Sequence, residues 1–380
     1  MAKPQILLVI GQLLKLGGKE RDALAVARKL GEEGHPLQIL TRAAAPELAA
    51  ELPIICLERV PHTNHTALAK TADRIKRTGK ADIVLTFERI GPADFYYAAD
   101  LHQEWSWLKR LLPRYSTLAR LAQRLFATPR QFSFFLGEHQ SSEYRRAFHL
   151  GEERYRILSP VIHVVRAEEL RKIALEPKPE NGDRLGLLSI ATAAENKGVD
   201  LSIRAVARCP DAQLTVIGLK SKDAKRMRSL AQSLNCDARV EIVAYGNVLA
   251  QLQNADLLLH PARLENTGTV IVEALLAGVP AIATENCGYA KFLRDGAGIV
   301  LPQQPTIDQI LEALEKGREA KHLLHMRQCS LKKGGELAEI KGAWLNEVVK
   351  SLSDYDRCKA DLWTARVFVA MASTESCSST

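Results

Sequence analysis

Long apolar runs are missing from this 380-residue chain, and no stretch approaches 18 consecutive apolar residues, so the sequence offers no candidate membrane span. Paired cysteines are missing too. The seven, at positions 56, 209, 236, 287, 329, 358 and 377, show no CxxC spacing and an odd total, which fits a reducing cytoplasm better than a disulfide framework and leaves no recognisable zinc site. The net charge of +8 comes without a helix-turn-helix, zinc-finger or aromatic RNA-binding signature, so nucleic acid is not the expected partner. A phosphate-rich small molecule or an anionic membrane surface remains. There is no G-x-G-x-x-G, which counts against a nicotinamide cofactor. Asp354 and Asp356 form a DYD, but in a polar C-terminal segment away from any strand end, and no metal site is expected. The opening MAKPQILLVIG meets glycine and charge too soon for a signal peptide and reads as a first buried strand.

What is present is alternation. Short apolar runs at 6–10, 36–41, 82–87, 132–137 and 155–159, then at 185–191, 212–218, 239–245, 255–261, 280–284 and 298–302, are separated by helix-length amphipathic intervals. That rhythm predicts repeated βαβ units and two doubly wound, Rossmann-like α/β domains with a cleft between them. The proline-, glycine- and charge-rich stretch 173–184 is the expected linker, giving domains at 1–172 and 185–345. Residues 346–380 are expected to form a C-terminal helix and a frayed tail. Within that tail WTARVFVAMA (363–372) is too short to cross a bilayer and reads as a docking helix.

In such domains ligands sit beyond the carboxyl ends of the strands, where helix N-termini point free amides outward. ADLLLHP, ARLENTG and TVIVEALLAG (255–278) read as strand, loop and helix, with Glu265 on the loop and Glu273 in the second helical turn. Amid Val270, Ile271, Val272, Ala274, Leu275 and Leu276, Glu273 is either an ordinary exposed helix position or a carboxylate that needs a partner, such as a vicinal diol. Gly17 and Gly18 precede the first helix and let backbone amides approach a diphosphate, though turns use glycine pairs constantly. Lys197, before Gly198 at a strand-to-helix junction, is either a solvated turn lysine or a point charge for phosphate.

In their order, these elements resemble the retaining glycosyltransferases of family four, which have the two-domain GT-B fold. The resemblance extends in particular to the lipopolysaccharide core glucosyltransferase I group. LGGKERD (16–22) is similar to its GG-x-x-RD opening, PHTNH (61–65) to its HTNH segment and FYYAADLHQE (95–104) to its Y-x-AAD element; ADLLLHPA (255–262) and CGYA (287–290) look nearly unaltered. These matches run from about residue 5 to 305. The resemblance implies a UDP-sugar donor with no further cofactor, and an acceptor in the lipopolysaccharide core bound on the first domain. It implies that Glu273 binds the ribose hydroxyls and Glu265 the donor sugar. Gly17, Gly18 and Lys197 would hold the diphosphate, assisted by the amides of Thr267, Gly268 and Thr269. Asp100 is either an acceptor-orienting carboxylate or a cap of the following helix. One departure stands out: where family members carry an arginine beside the phosphate lysine, this chain has Ala193, Ala194, Glu195 and Asn196, and Arg263 is the candidate replacement.

The segment 103–130 sets Lys109, Arg110, Arg114, Arg120, Arg124 and Arg130 against one acid, Glu104, with leucines at helical spacing and Trp105 and Trp107 at its start. This is the composition of a helix lying on an anionic membrane, or of an amphipathic helix packed on its own domain. The group's lipid-anchored acceptor implies the former, and hence a cytoplasmic protein held peripherally at the inner membrane.

Overall fold

A computed structural model describes residues 3–14, 17–57, 64–102, 111–177, 184–243 and 246–355. The first domain is built on strands β1 (Ile6–Val9), β2 (Leu37–Thr41), β3 (Ile54–Cys56), β4 (Ile83–Thr86), β5 (Phe95–Ala98), β6 (Phe132–Phe135) and β7 (Tyr155–Ile157), in the order β3-β2-β1-β4-β5-β6-β7. The second has β8 (Leu185–Ile190), β9 (Ala212–Ile217), β10 (Val240–Val243), β11 (Leu257–His260), β12 (Ala281–Thr284) and β13 (Gly298–Leu301), in the order β10-β9-β8-β11-β12-β13. Every described pairing is parallel. Helices cover both faces of each sheet, which is why the strands read as unbroken apolar runs. In β1, Ile6 and Leu8 enter one core and Leu7 and Val9 the other. The expected pair of Rossmann-like domains is therefore observed. Two strands were not anticipated, the short β3 and the aromatic β5.

The domain boundary also lies elsewhere than the composition indicates. Val161 belongs to the first domain's core and Ile162 to the second's, and the helix Val164–Ala174 packs Ala167 and Leu170 into the second core. The chain thus crosses at 161–162, and the stretch 173–184 begins at the end of a second-domain helix instead of joining the domains. The crossing segment SPVIH is short and buries Val161 and Ile162 at its centre, so no extended run of linker composition marks it. After the helix Ala320–Glu339 the chain returns. The helix Ala343–Ser353 puts Trp344, Val348, Val349 and Leu352 into the first domain's core, against the helix Gly18–Glu32. The two crossings are tied together, the amide of Gly342 donating to the carbonyl of Ile162 at 2.9 Å. Residues 356–380 lie outside the described residues, WTARVFVAMA among them.

The basic segment is partly described. Its helix Pro113–Phe126 buries Leu121, Ala122, Leu125 and Phe126 within the first domain, while Arg114, Arg120 and Arg124 face solvent. The expected free apolar face is thus largely used by the domain itself, and Leu111 and Leu112, 71% and 53% exposed, are the leucines that project. Trp105, Trp107, Lys109 and Arg110 lie outside the described residues. Among those residues no helix is long and apolar enough to cross a membrane.

Trp344 is fully buried in a domain whose last strand, β7, ends at Ile157. Trp344→Ala is expected to cost about 3–5 kcal/mol in urea unfolding, whereas Leu324→Ala, at a position 57% exposed, should stay within about 0.5 kcal/mol.

Candidate active site

Strand order reverses between β1 and β4 in the first sheet and between β8 and β11 in the second. At such switch points the loops diverge and leave a crevice. Both crevices hold a lysine paired with a glutamate.

In the second domain the loop after β8 carries Lys197 and the loop after β11 carries Glu265. The two loops are stitched by main-chain bonds, the amides of Arg263 and Leu264 both donating to the carbonyl of Asn196 at 2.8 and 3.0 Å. Gly198 sits where they meet. Its φ is +66°, and a Cβ there would stand 2.0 Å from the carbonyl oxygen of Pro261, so no other residue fits. Lys197 Nζ then reaches Glu265 Oε2 at 2.7 Å. His260, the last residue of β11 and 2% exposed, brings Nε2 to the same oxygen at 3.2 Å. The amide of Asn266 donates to Oε1 at 2.9 Å. Burial alone would push the Glu265 carboxyl up, but the hydrogen bond from His260 and the charge of Lys197 outweigh it and bring it down to about 2.

Glu265 is followed by a buried Thr267 and by Gly268 in the left-handed region at φ +75°, from which the helix Thr269–Leu276 starts. The first amides of a helix have no partner within it, and here no side chain caps them. Glu273 is half-buried and paired with Arg166 of the helix Val164–Ala174, Nε to Oε1 at 3.2 Å. It is neither the freely exposed position nor an isolated buried charge. Arg263 is committed elsewhere, holding both oxygens of Asp200 at 2.6 and 2.8 Å and the carbonyl of Glu195 at 2.9 Å. Its charge is already matched, and a role on phosphate requires that fork to open.

In the first domain Gly17 precedes the helix Gly18–Glu32, its amide donating to Glu20 Oε2 at 3.0 Å. Lys19 pairs with Glu88 at 3.0 Å and lies 3.7 Å from Asp100. Glu88, after β4, also accepts from the Gly11 amide at 2.9 Å. Burial opposes its ionisation, yet Lys19, His65 and Arg42 together hold its carboxyl below the usual range. Asp100 is 64% exposed at the side chain, but its backbone is fixed: Gln140 Nε2 donates to the carbonyls of Ala98 and Asp100, and Tyr144 donates to that of Asp100 at 3.1 Å. Asp22, the acid of the RD pair, accepts from Tyr97 at 2.9 Å and meets His163 Nε2 at 3.0 Å, so it ties the first helix to the crossing segment.

The structure therefore gathers Lys197, Glu265, Thr267, Gly268 and Thr269 at one switch point, and Gly17, Gly18 and Asp100 with Lys19 around the other. Residues not singled out from sequence include Lys19, Glu88, Arg42, His260, Asn266 and Arg166. His260 and Glu88 each close or follow a predicted strand, and that position was the available signal.

The glycosyl transferases group 1 family matches residues 171–327, the region that holds the Lys197 and Glu265 loops. The chain thus carries a glycosyl transferases group 1 domain, and its two parallel-sheet domains have the GT-B fold. It is similar to the lipopolysaccharide glucosyltransferase WaaG of Escherichia coli (strain K12), with 29% identity over 320 residues that span 79% of this chain and 86% of that protein. The crystal structure of WaaG, a glycosyltransferase involved in lipopolysaccharide biosynthesis, superposes with a TM-score of 0.77 and 25% identity, over 92% of this chain and 99% of that one. Anabaena HepE in complex with UDP and glucose shares the fold at a TM-score of 0.70 and 15% identity, over 92% and 99% of the two chains.

The low pKa of Glu265 has a defined sign. A carboxyl held below its unfolded value of 4.5 stabilises the fold fully above about pH 4.5, and that contribution is lost as pH falls toward about 2. The drop from 4.5 to about 2 corresponds to about 3 kcal/mol. In Glu265→Gln this component of the acid-induced loss should vanish from a pH series of unfolding free energies; an unchanged slope between those limits would contradict the assignment.

Proposed function

We propose that this glycosyltransferase moves a hexose, glucose from UDP-glucose, to the inner core of lipopolysaccharide, with retention and without a metal, at the cytoplasmic face of the inner membrane. The observation that carries this reading is the Lys197 and Glu265 pair beside the start of the helix Thr269–Leu276, in a chain similar to WaaG along most of its length. In this reading Lys197 turns from Glu265 to the donor diphosphate, and the amides of Thr267, Gly268 and Thr269 take up charge that grows on the leaving group. Gly17 and Gly18 approach the same diphosphate from the first domain. Glu265 has lone pairs left for donor sugar hydroxyls, and Glu273 binds the ribose diol through the oxygen that Arg166 does not engage.

The acceptor hydroxyl is oriented by Asp100 and attacks on the face the diphosphate leaves, with the departing diphosphate oxygen receiving the proton. Such chemistry relies on fixed donors aimed at the leaving group more than on a protein base. A second reading follows from Arg263: with its fork closed on Asp200, the position that family members fill with arginine is uncompensated, which favours a slow enzyme or a sugar-nucleotide-binding protein. Related transferases with another donor or acceptor form the remaining alternative.

The deciding experiment is mass-spectrometric detection of transfer onto purified heptosylated core lipid from UDP-glucose, with UDP-galactose and UDP-N-acetylglucosamine as comparisons. One added hexose from UDP-glucose, at a rate unchanged by EDTA, is expected; saturable UDP binding without product from any donor sinks the transferase reading in favour of the binding protein. For the membrane, the exposed Arg114, Arg120 and Arg124 beside Leu111 and Leu112 supply the anionic-surface contact. Replacing the three arginines by glutamine should release the protein from vesicles rich in anionic lipid, with equal co-sedimentation of variant and wild type overturning the assignment.

A further inference from the structure

The two switch-point crevices are joined by a polar contact that the reaction scheme leaves unused. Asn266, next to Glu265, donates from Nδ2 to the carbonyl of Ala99 at 3.0 Å. Ala99 precedes Asp100 in the first domain, so this bond runs from the donor-side loop to the acceptor-side edge. A carbonyl can only accept, which fixes the orientation of the carboxamide. The other end of that group, Oδ1, is buried and has no hydrogen-bond partner among the described residues.

Both ends of the contact are rigid. On the donor side the Asn266 amide is held by Glu265 Oε1, its carbonyl accepts from Gly288 at 3.1 Å, and Thr267 accepts from Tyr289 at 2.8 Å. On the acceptor side the carbonyls flanking Ala99 are held by Gln140 and Tyr144. Neither segment can drift without breaking these bonds, so the separation of Glu265 from Asp100 is set where Asn266 meets Ala99. A buried acceptor left open next in sequence to Glu265, on a side chain that meets the residue before Asp100, suits a hydroxyl donor in a protein that handles polyols.

We propose that Asn266 is a positioning residue that sets the acceptor edge in register with the sugar-reading loop, its Oδ1 kept for a hydroxyl of the bound sugar. This rests on the glycosyl-transfer reading. Two variants test it. Asn266→Ala removes both functions, and Asn266→Asp keeps Oδ1 but sets a carboxylate against the Ala99 carbonyl. Both should bind UDP as wild type does in calorimetry, because Lys197, Glu265 and Glu273 are untouched. Both should lose about 10- to 100-fold in kcat/KM for the acceptor, with a larger share of UDP-glucose hydrolysed instead of transferred. In the absence of ligand, hydrogen–deuterium exchange should rise in peptides covering 96–101 and 262–268 together.

Wild-type acceptor kinetics and product partition in both variants overturn the proposal, as does a loss that merely tracks weakened UDP binding. A variant that fails to fold shows no cooperative melt, and the other then decides. If the wild-type protein transfers no sugar, the glycosyl-transfer reading fails on its own, and the exchange data still decide whether Asn266 clamps the two edges: unchanged exchange in both peptides refutes the clamp.

Discussion

A carboxylate withdrawn from water must be met by fixed donors, and Glu265 is met by three: a lysine, a histidine and a main-chain amide. Much of the second domain's upper surface is arranged to deliver them. Lys197 arrives because Gly198 lets its loop press onto Pro261, and His260 because β11 ends in the crevice. The Asn266 amide arrives because the loop turns sharply into the helix that follows Gly268. This set of groups is closed on itself, so Lys197 and Glu265 stand as an ion pair instead of as two bare charges.

The first domain repeats the plan with different parts. Glu88 is again a carboxylate at a switch point, again held by a lysine, with Gly11 supplying the amide. Here the lysine stands in the first turn of a helix next to the glycine pair, and a second acid, Asp100, stays in solvent. That asymmetry is what the proposed reaction needs, in which one side grips a leaving group and the other presents an incoming hydroxyl.

Much of this was legible in the sequence because the signals are local. Apolar runs of strand length fixed eleven strands, and the strand-loop-helix passage at 255–278 located Glu265 and Glu273 within a turn of their observed places. What could not be read was non-local. β3 is three residues long, and β5, FYYA, is aromatic and too short for a periodicity to show. The domain crossing is short and has buried Val161 and Ile162 at its centre, so it does not read as a linker; the polar stretch that does follows a helix of the second domain. The basic helix shows the same limit, since its leucine stripe fits a membrane or a protein core equally well and only packing tells which received it. Asn266 meets a main-chain carbonyl 167 residues away, and no side-chain pattern announces such a partner.

The return of the chain through Gly342 has a consequence for biosynthesis. Because Trp344, Val348 and Leu352 belong to the core around β1 and the first helix, the amino-terminal half leaves the ribosome with a gap where that helix will sit. The second domain, whose core is drawn from a nearly continuous stretch beginning at Ile162, can close as soon as it emerges. The order of completion is therefore the reverse of the order of synthesis. The amino-terminal domain is finished last, by Trp344, Val348, Val349 and Leu352.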